Sequence, residues 1–100
     1  MPEGITVTVS YLFRPGMEII GRQELEEFSA ANRTSDGCKS IAIHRDLKNA
    51  ASYMTVSKWE SLDHFMKLLN EPHIKSYADK SKKLLVEPFK VQIWEEIINE

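Results

Sequence analysis

Three histidines, three tyrosines, two tryptophans and one cysteine supply most of the reactive or ligand-binding side chains in this 100-residue chain. His44 closes the run CKSIAIHR beside the small residues Ser40 and Ala42. An unperturbed imidazole titrates near neutrality, so His44 can take a proton from a bound acid. The same pattern fits a surface histidine on an edge strand. Tyr11, Tyr53 and Tyr77 offer phenol hydroxyls to a polar group of a ligand, or pack as ordinary interface residues. His73 follows Pro72 and can contact a ligand or only position the helix it opens. His64 reads as a solvated first-turn residue. Cys38 reads as a small buried strand residue; it cannot close an internal disulfide, and with scattered histidines it shows no zinc spacing. No metal centre is expected. Lys80, Lys82 and Lys83 form a solvated helix face.

Composition narrows the functions these residues can serve. Thirteen Lys and Arg stand against fifteen Asp and Glu, a net charge of −2, so there is no general basic field for nucleic acid or anionic lipid. The balance of 42% hydrophobic and 28% charged residues is that of an ordinary globular domain. One domain spanning residues 1–100 is expected. No apolar run approaches the roughly 18–20 residues that cross a bilayer. The opening MPEGITVTVS has neither a basic nor an apolar leader region, which predicts a cytoplasmic protein.

The elements that must position these residues follow from periodicity. Residues 5–13 alternate, with Ile5, Val7, Val9, Tyr11 and Phe13 on one face, and Arg14-Pro15-Gly16 stops the strand. From Met17 to about Asn32 the period becomes helical, with Met17, Ile20, Leu25, Phe28 and Ala31 as the apolar stripe. Gly21 costs that helix about 1 kcal/mol relative to alanine, so its position calls for room. Residues 38–45 and 52–59 read as a hairpin, the first with Ile41 and Ile43 opposite Cys38, Ser40, Ala42 and His44. Ser61 caps a second helix, Asn70-Glu71-Pro72 breaks it, and helical spacing resumes to Val86. A long last strand runs from Phe89 to Ile98.

Strand, helix, strand, strand, helix, strand is the split βαβ pattern, predicting a ferredoxin-like α+β fold with an antiparallel sheet. Helices cover one face only. The other would carry Leu12, Met54, Val56, Trp94, Ile41 and Ile43, too apolar a surface to leave in water. A homodimer packed sheet to sheet is the expected solution.

Residues 59–77, WESLDHFMKLLNEPHIKSY, resemble the signature of the antibiotic biosynthesis monooxygenase family: Trp-Glu-Ser, an amphipathic helix, then Pro-His and a following aromatic. The segments ITVTVSYLFRPG, DGCKSIAIHRD and FKVQIWEEI agree with it, so the resemblance spans nearly the whole chain. It implies a dimeric α+β barrel. It also implies one of several chemistries: cofactor-independent oxidation of phenols and polyketide aromatics, quinol oxidation, haem degradation, or isomerisation of a sugar derivative. Where the haem-degrading branch carries a tryptophan, an axial histidine and an asparagine, this chain has Leu68, Ala78 and Val9, and a haem would lack its axial ligand. Against the polyketide-oxidising branch it has Thr55, Phe65 and Asp79 at three characteristic positions. The small quinol-oxidising members are most similar, through PHIKSY at 72–77.

The implied activity is a monooxygenase without cofactor, joining a small aromatic substrate to molecular oxygen. A phenol or hydroquinone that loses its proton is electron-rich enough to pass one electron to oxygen. The protein must bind a flat ring, handle a proton and exclude water. The resemblance makes Trp59, with His44, a residue of the catalytic site, walling the aromatic cavity as well as anchoring the packing. Tyr11, Tyr53, Phe65, His73 and Tyr77 are the expected substrate contacts and His44 the expected base. A non-catalytic binder of a small hydrophobic ligand, or an isomerase on the same fold, remains the alternative.

Overall fold

The computed structural model describes residues 4–98; the ends on which the leader reading partly rests lie outside that range. Its elements run β1 (Ile5–Leu12), α1 (Glu18–Arg33), β2 (Cys38–Arg45), β3 (Ser52–Trp59), α2 (Leu62–Leu69), α3 (Pro72–Ser81) and β4 (Lys90–Glu95). The four strands form one antiparallel sheet in the order β2-β3-β1-β4, the ferredoxin-like α+β arrangement. Alternation decides which side chains meet the helices. Val7 and Tyr11 of β1 and Tyr53, Thr55, Ser57 and Trp59 of β3 are buried beneath them.

The second strand departs from expectation in two ways. Ile41 lies opposite Ser57 and Ile43 opposite Thr55, so both isoleucines belong to the helix side and not to the open face. A bulge between Cys38 and Ser40 breaks the alternation and seats Cys38 opposite Trp59, away from Ser40, Ala42 and His44. The open face is therefore less apolar than the sequence suggests: Leu12, Ala42, Met54, Val56 and Trp94 stand among threonines, serines and lysines. Trp94 is half exposed, and its Nε1–H donates to Thr8 Oγ1 (2.9 Å).

In α1 the buried residues are Gly21, Leu25, Ser29 and Asn32, while Ile20 and Ala31 face solvent. Small residues occupy this stripe because the helix lies close to what it covers. A Cβ at Gly21 would run into the Phe13 ring. Beyond α1, Gly37 takes φ +82° and packs under His64. Ser61 accepts from the His64 backbone N–H (3.3 Å) to cap α2. His64 is half-buried, not solvated, with Nδ1 at 2.6 Å from Ser61 Oγ.

Pro72 at the first position of α3 separates it from α2, as its missing N–H and fixed φ favour. α3 then ends at Ser81, short of the expected Val86. Residues 84–86 pair with the end of β1 instead: Arg14 N–H donates to Leu84 O and Val86 N–H to Leu12 O, each at 2.8 Å. That pairing puts Leu84 and Leu85 into the core with Tyr11, Phe13, Leu25, Tyr53 and Tyr77. A second cluster joins Val7, Trp59, Phe65 and Leu68. β4 is also shorter than expected, and Ile97 and Ile98 follow it as exposed, non-strand residues.

Candidate functional site

Between the sheet and the three helices lies a small cavity of ≈ 70 Å³. Its floor comes from cross-strand rows, Ile41–Ser57–Val7 and Thr55–Val9–Val91, closed at one end by Trp59. Phe28, Ser29 and Asn32 of α1, Phe65 and Leu68 of α2 and Ile74 of α3 form the roof. The walls are apolar, with a few hydroxyls, one amide and the Tyr11 phenol as polar points.

Trp59 is 1% exposed and fixed on both sides. Its indole N–H donates to Ser57 Oγ (2.8 Å), whose hydroxyl donates to Val7 O (3.4 Å), and Phe65 stands edge-on to it at 5.6 Å. With its N–H engaged, Trp59 offers the cavity an apolar surface. Tyr11 is buried beside Thr55. Loss of solvent pushes its phenol up to about 12, the Thr55 hydroxyl offsetting a part. Tyr77 stacks on Phe28 at 3.9 Å and 7°, and its buried hydroxyl has no hydrogen-bond partner among the described residues. Burial raises that phenol further, with Tyr11 and Glu24 acting in the same direction. Both tyrosines are therefore hydrogen-bond donors at neutral pH and not bases.

His73 reaches the cavity through a neighbour. Its Nε2–H donates to Oδ1 of Asn32 (2.6 Å), while its ring stands edge-on to Phe28. Asn32 is 6% exposed and itself lines the cavity. Phe28 is a shared partition, since it also lines an outer hollow of ≈ 180 Å³ formed with Glu24, His73, Tyr77 and Lys80. The Lys80–Glu24 ion pair (2.8 Å) ties α3 to α1 across that hollow.

The fold thus gathers Tyr11, Trp59 and Phe65 at the cavity, with His73 and Tyr77 behind its α1–α3 wall. His44 and Tyr53 are elsewhere. His44 lies opposite Met54 on the open face, separated from the cavity by the thickness of the sheet. Tyr53 is buried, but it packs on Phe13 and looks toward β2 and α1. Asn32 was missed by sequence reasoning. Its signal was the series Gly21, Leu25, Ser29, Asn32, small or polar residues at helical spacing on the face nearest the sheet. Burial raises the pKa of the Cys38 thiol, which keeps it protonated. Among the described residues no three His, Cys, Asp or Glu side chains are grouped as metal ligands. No helix there is long and apolar enough to cross a membrane.

The chain is thus an α+β sheet with an aromatic-walled cavity under its helices, and comparison with known proteins gives it a family. Residues 4–80 match the antibiotic biosynthesis monooxygenase family model, and the chain belongs to that family. No curated protein matches it in sequence. Among solved structures it is similar to a protein of Pseudomonas aeruginosa (18% identity, TM-score 0.87, covering 98% of each chain). A protein of Mycobacterium tuberculosis is similar at 19% identity and TM-score 0.87, over 96% of this chain and 97% of that one. A cofactor-independent oxygenase of Streptomyces nogalater, an asparagine-to-alanine mutant, is similar at 14% identity and TM-score 0.87, over 97% and 96%. At these identities the likeness concerns the fold.

Proposed function

We propose that the chain is a cofactor-independent monooxygenase that oxidises a small aromatic substrate, a phenol, hydroquinone or polyketide-like ring, with molecular oxygen, working as a homodimer through its open sheet face. The observation that carries this reading is the aromatic-walled cavity under the helices, with the Asn32 amide and the Tyr11 phenol at its surface as hydrogen-bond donors. Membership of the family and the likeness to an oxygenase of the same fold support it. Asn32 is the principal handle. With Oδ1 held by His73, its amide N–H groups are free to donate to a substrate oxygen, and Tyr11 donates from the sheet side. Such donors stabilise the substrate oxyanion in a dry site. The substrate gives up its phenolic proton to water as it enters, and the bound anion then gives one electron to oxygen. The aryloxyl radical and superoxide combine into a C–O bond and a proton returns to make the hydroperoxide; loss of the proton on that carbon with O–O cleavage then releases water and leaves the quinone carbonyl. Because His44 faces away from the cavity, it has no part in these steps, and His73 is a positioning residue that acts through Asn32.

At ≈ 70 Å³ the cavity is well below the roughly 300 Å³ where small-molecule sites begin, so a ring enters only by moving a wall. Phe28 stands between the cavity and the ≈ 180 Å³ hollow outside, so it is the side chain whose movement would enlarge the site. The test is oxygen uptake by purified, metal-free protein against hydroquinones, naphthols and anthrones. Uptake above autoxidation is expected, with turnover about 10²-fold lower in Asn32→Ala. Trp59→Phe should mainly weaken binding, and His44→Ala should leave turnover unchanged. No uptake across the panel would remove the oxygenase reading. A binder without turnover is the second reading, favoured by one observation: no side chain lining the cavity titrates near neutral pH.

A further inference from the structure

A second hollow lies at the far edge of α1, between that helix and the edge strand β2, and the oxidation chemistry makes no use of it. At ≈ 560 Å³ it falls within the range of small-molecule sites, unlike the inner cavity. Arg22, Arg33, Arg45, Tyr53 and Glu26 supply its polar side chains, Ala30 and Ile43 its apolar part, and His44 borders it as part of the edge strand. On a chain of net charge −2, this is a local concentration of guanidinium groups.

The three arginines differ in how far their charge is answered. Arg22 Nε donates to Glu26 Oε1 at 2.9 Å, so that pair is neutral as a unit. Arg33 donates from Nε and Nη2 to the Ile41 carbonyl at 3.3 and 3.1 Å. A peptide oxygen fixes the guanidinium in place without cancelling its charge. Arg45 makes no ion pair among the described residues. Two positive charges therefore stand uncompensated in one hollow, one of them tethered in position. The hollow continues into a neighbour of ≈ 540 Å³ that adds Glu18, whose carboxylate accepts from the Gly16 backbone N–H at 2.7 Å. Tyr53, held edge-on by Phe13 at 5.5 Å, is a rigid wall common to both.

We infer that the hollow between α1 and β2 binds a small molecule bearing a doubly charged oxyanion, a phosphate monoester or a dicarboxylate. Planar guanidinium forks match the oxygens of either group, and two uncompensated charges match a dianion. The volume exceeds that of the head group, leaving the organic body to lie over Ala30 and Ile43. As the site is open to solvent, its affinity falls as salt rises.

The inference is independent of the oxygenase reading and is tested by binding alone. Phenyl phosphate, phthalate and neutral benzamide are titrated calorimetrically into the whole protein at low and high salt. Submillimolar binding of phenyl phosphate or phthalate, weaker at high salt and absent for benzamide, is the expected result, and the dianion that binds more tightly identifies the source. Arg45→Gln should weaken it about fivefold to tenfold, and Arg33→Gln with Arg45→Gln further. Arg45 holds no tether, so its single variant stays informative if the double one misfolds. No binding of either dianion, or affinity unchanged in Arg45→Gln, overturns the inference. So does an Arg45→Gln chain that binds neither dianion but sediments at a different oligomeric state, which would make the hollow a contact between copies.

Discussion

Tyr11 holds a phenol where water cannot solvate its anion, and that ties stability to alkaline pH. Its pKa rises from 10.0 to about 12, so the folded protein keeps this proton longer than the unfolded chain does. The stabilisation is complete below about pH 10 and is lost as pH climbs from 10 toward 12. Two units correspond to about 2–3 kcal/mol. Urea unfolding from pH 8 to 12 should show that decline, and Tyr11→Phe should flatten part of it, Tyr77 supplying the remainder. A wild-type curve level to pH 12 would contradict the burial argument. At this scale the sequence was informative about bulk and poor about direction. Trp59, Phe65 and Tyr11 could be read as cavity walls because large aromatics on a helix-covered face have few other places to go. His44 and Tyr53 could not be located, since alternation assigns a face but does not reveal which element covers it. Asn32 was hidden because an amide in a helix normally reads as solvated.

Among the elements, α1 and the end of β1 depend on each other through one missing methyl group. Gly21 lies against the Phe13 ring, so Gly21→Ala gains about 1 kcal/mol of helix propensity and meets an overpacking cost of about 1–3 kcal/mol. A net loss of up to about 2 kcal/mol is expected in thermal or urea unfolding. Combining it with Phe13→Leu should cost less than the sum of the two, because the smaller side chain leaves room for the new methyl. A gain in stability from Gly21→Ala alone would show that the ring moves freely. The element boundaries were largely legible: β2 and β3 fall on the residues their periodicity marks, and Ser61 and Pro72 open α2 and α3. The failures were long-range in origin. Helical spacing through residues 82–86 is real, but hydrogen bonds to residues 12–14, distant in sequence, override it. The bulge at Cys38 and Ser40 likewise comes from pairing with β3, which no local pattern encodes.

The whole molecule leaves one sheet face uncovered, and the proposed dimer follows from it. Met54 and Trp94 are 37% and 49% exposed there, beside Val56 and Ala42. Sedimentation at micromolar concentration should give a dimer, and Met54→Glu with Val56→Glu should give monomers by placing like charges across the contact. A monomeric wild-type chain would rule this interface out. The strand order carries a different consequence, for how the protein is made. β1 sits inside the sheet, so Ile5 pairs with Trp59 on one side and with Glu95 on the other. Contacts so distant in sequence slow folding, because loop closure precedes their reward. On the ribosome, β1 can pair with β3 long before β4 exists. Synthesis at about 5–20 residues per second keeps that second edge open for about 2–6 s while residues 60–89 are added. Val7 and Val9 flank that open edge throughout, so the nascent chain passes through a stage that favours chaperone capture or aggregation, and it ends only when the last strand closes against the first.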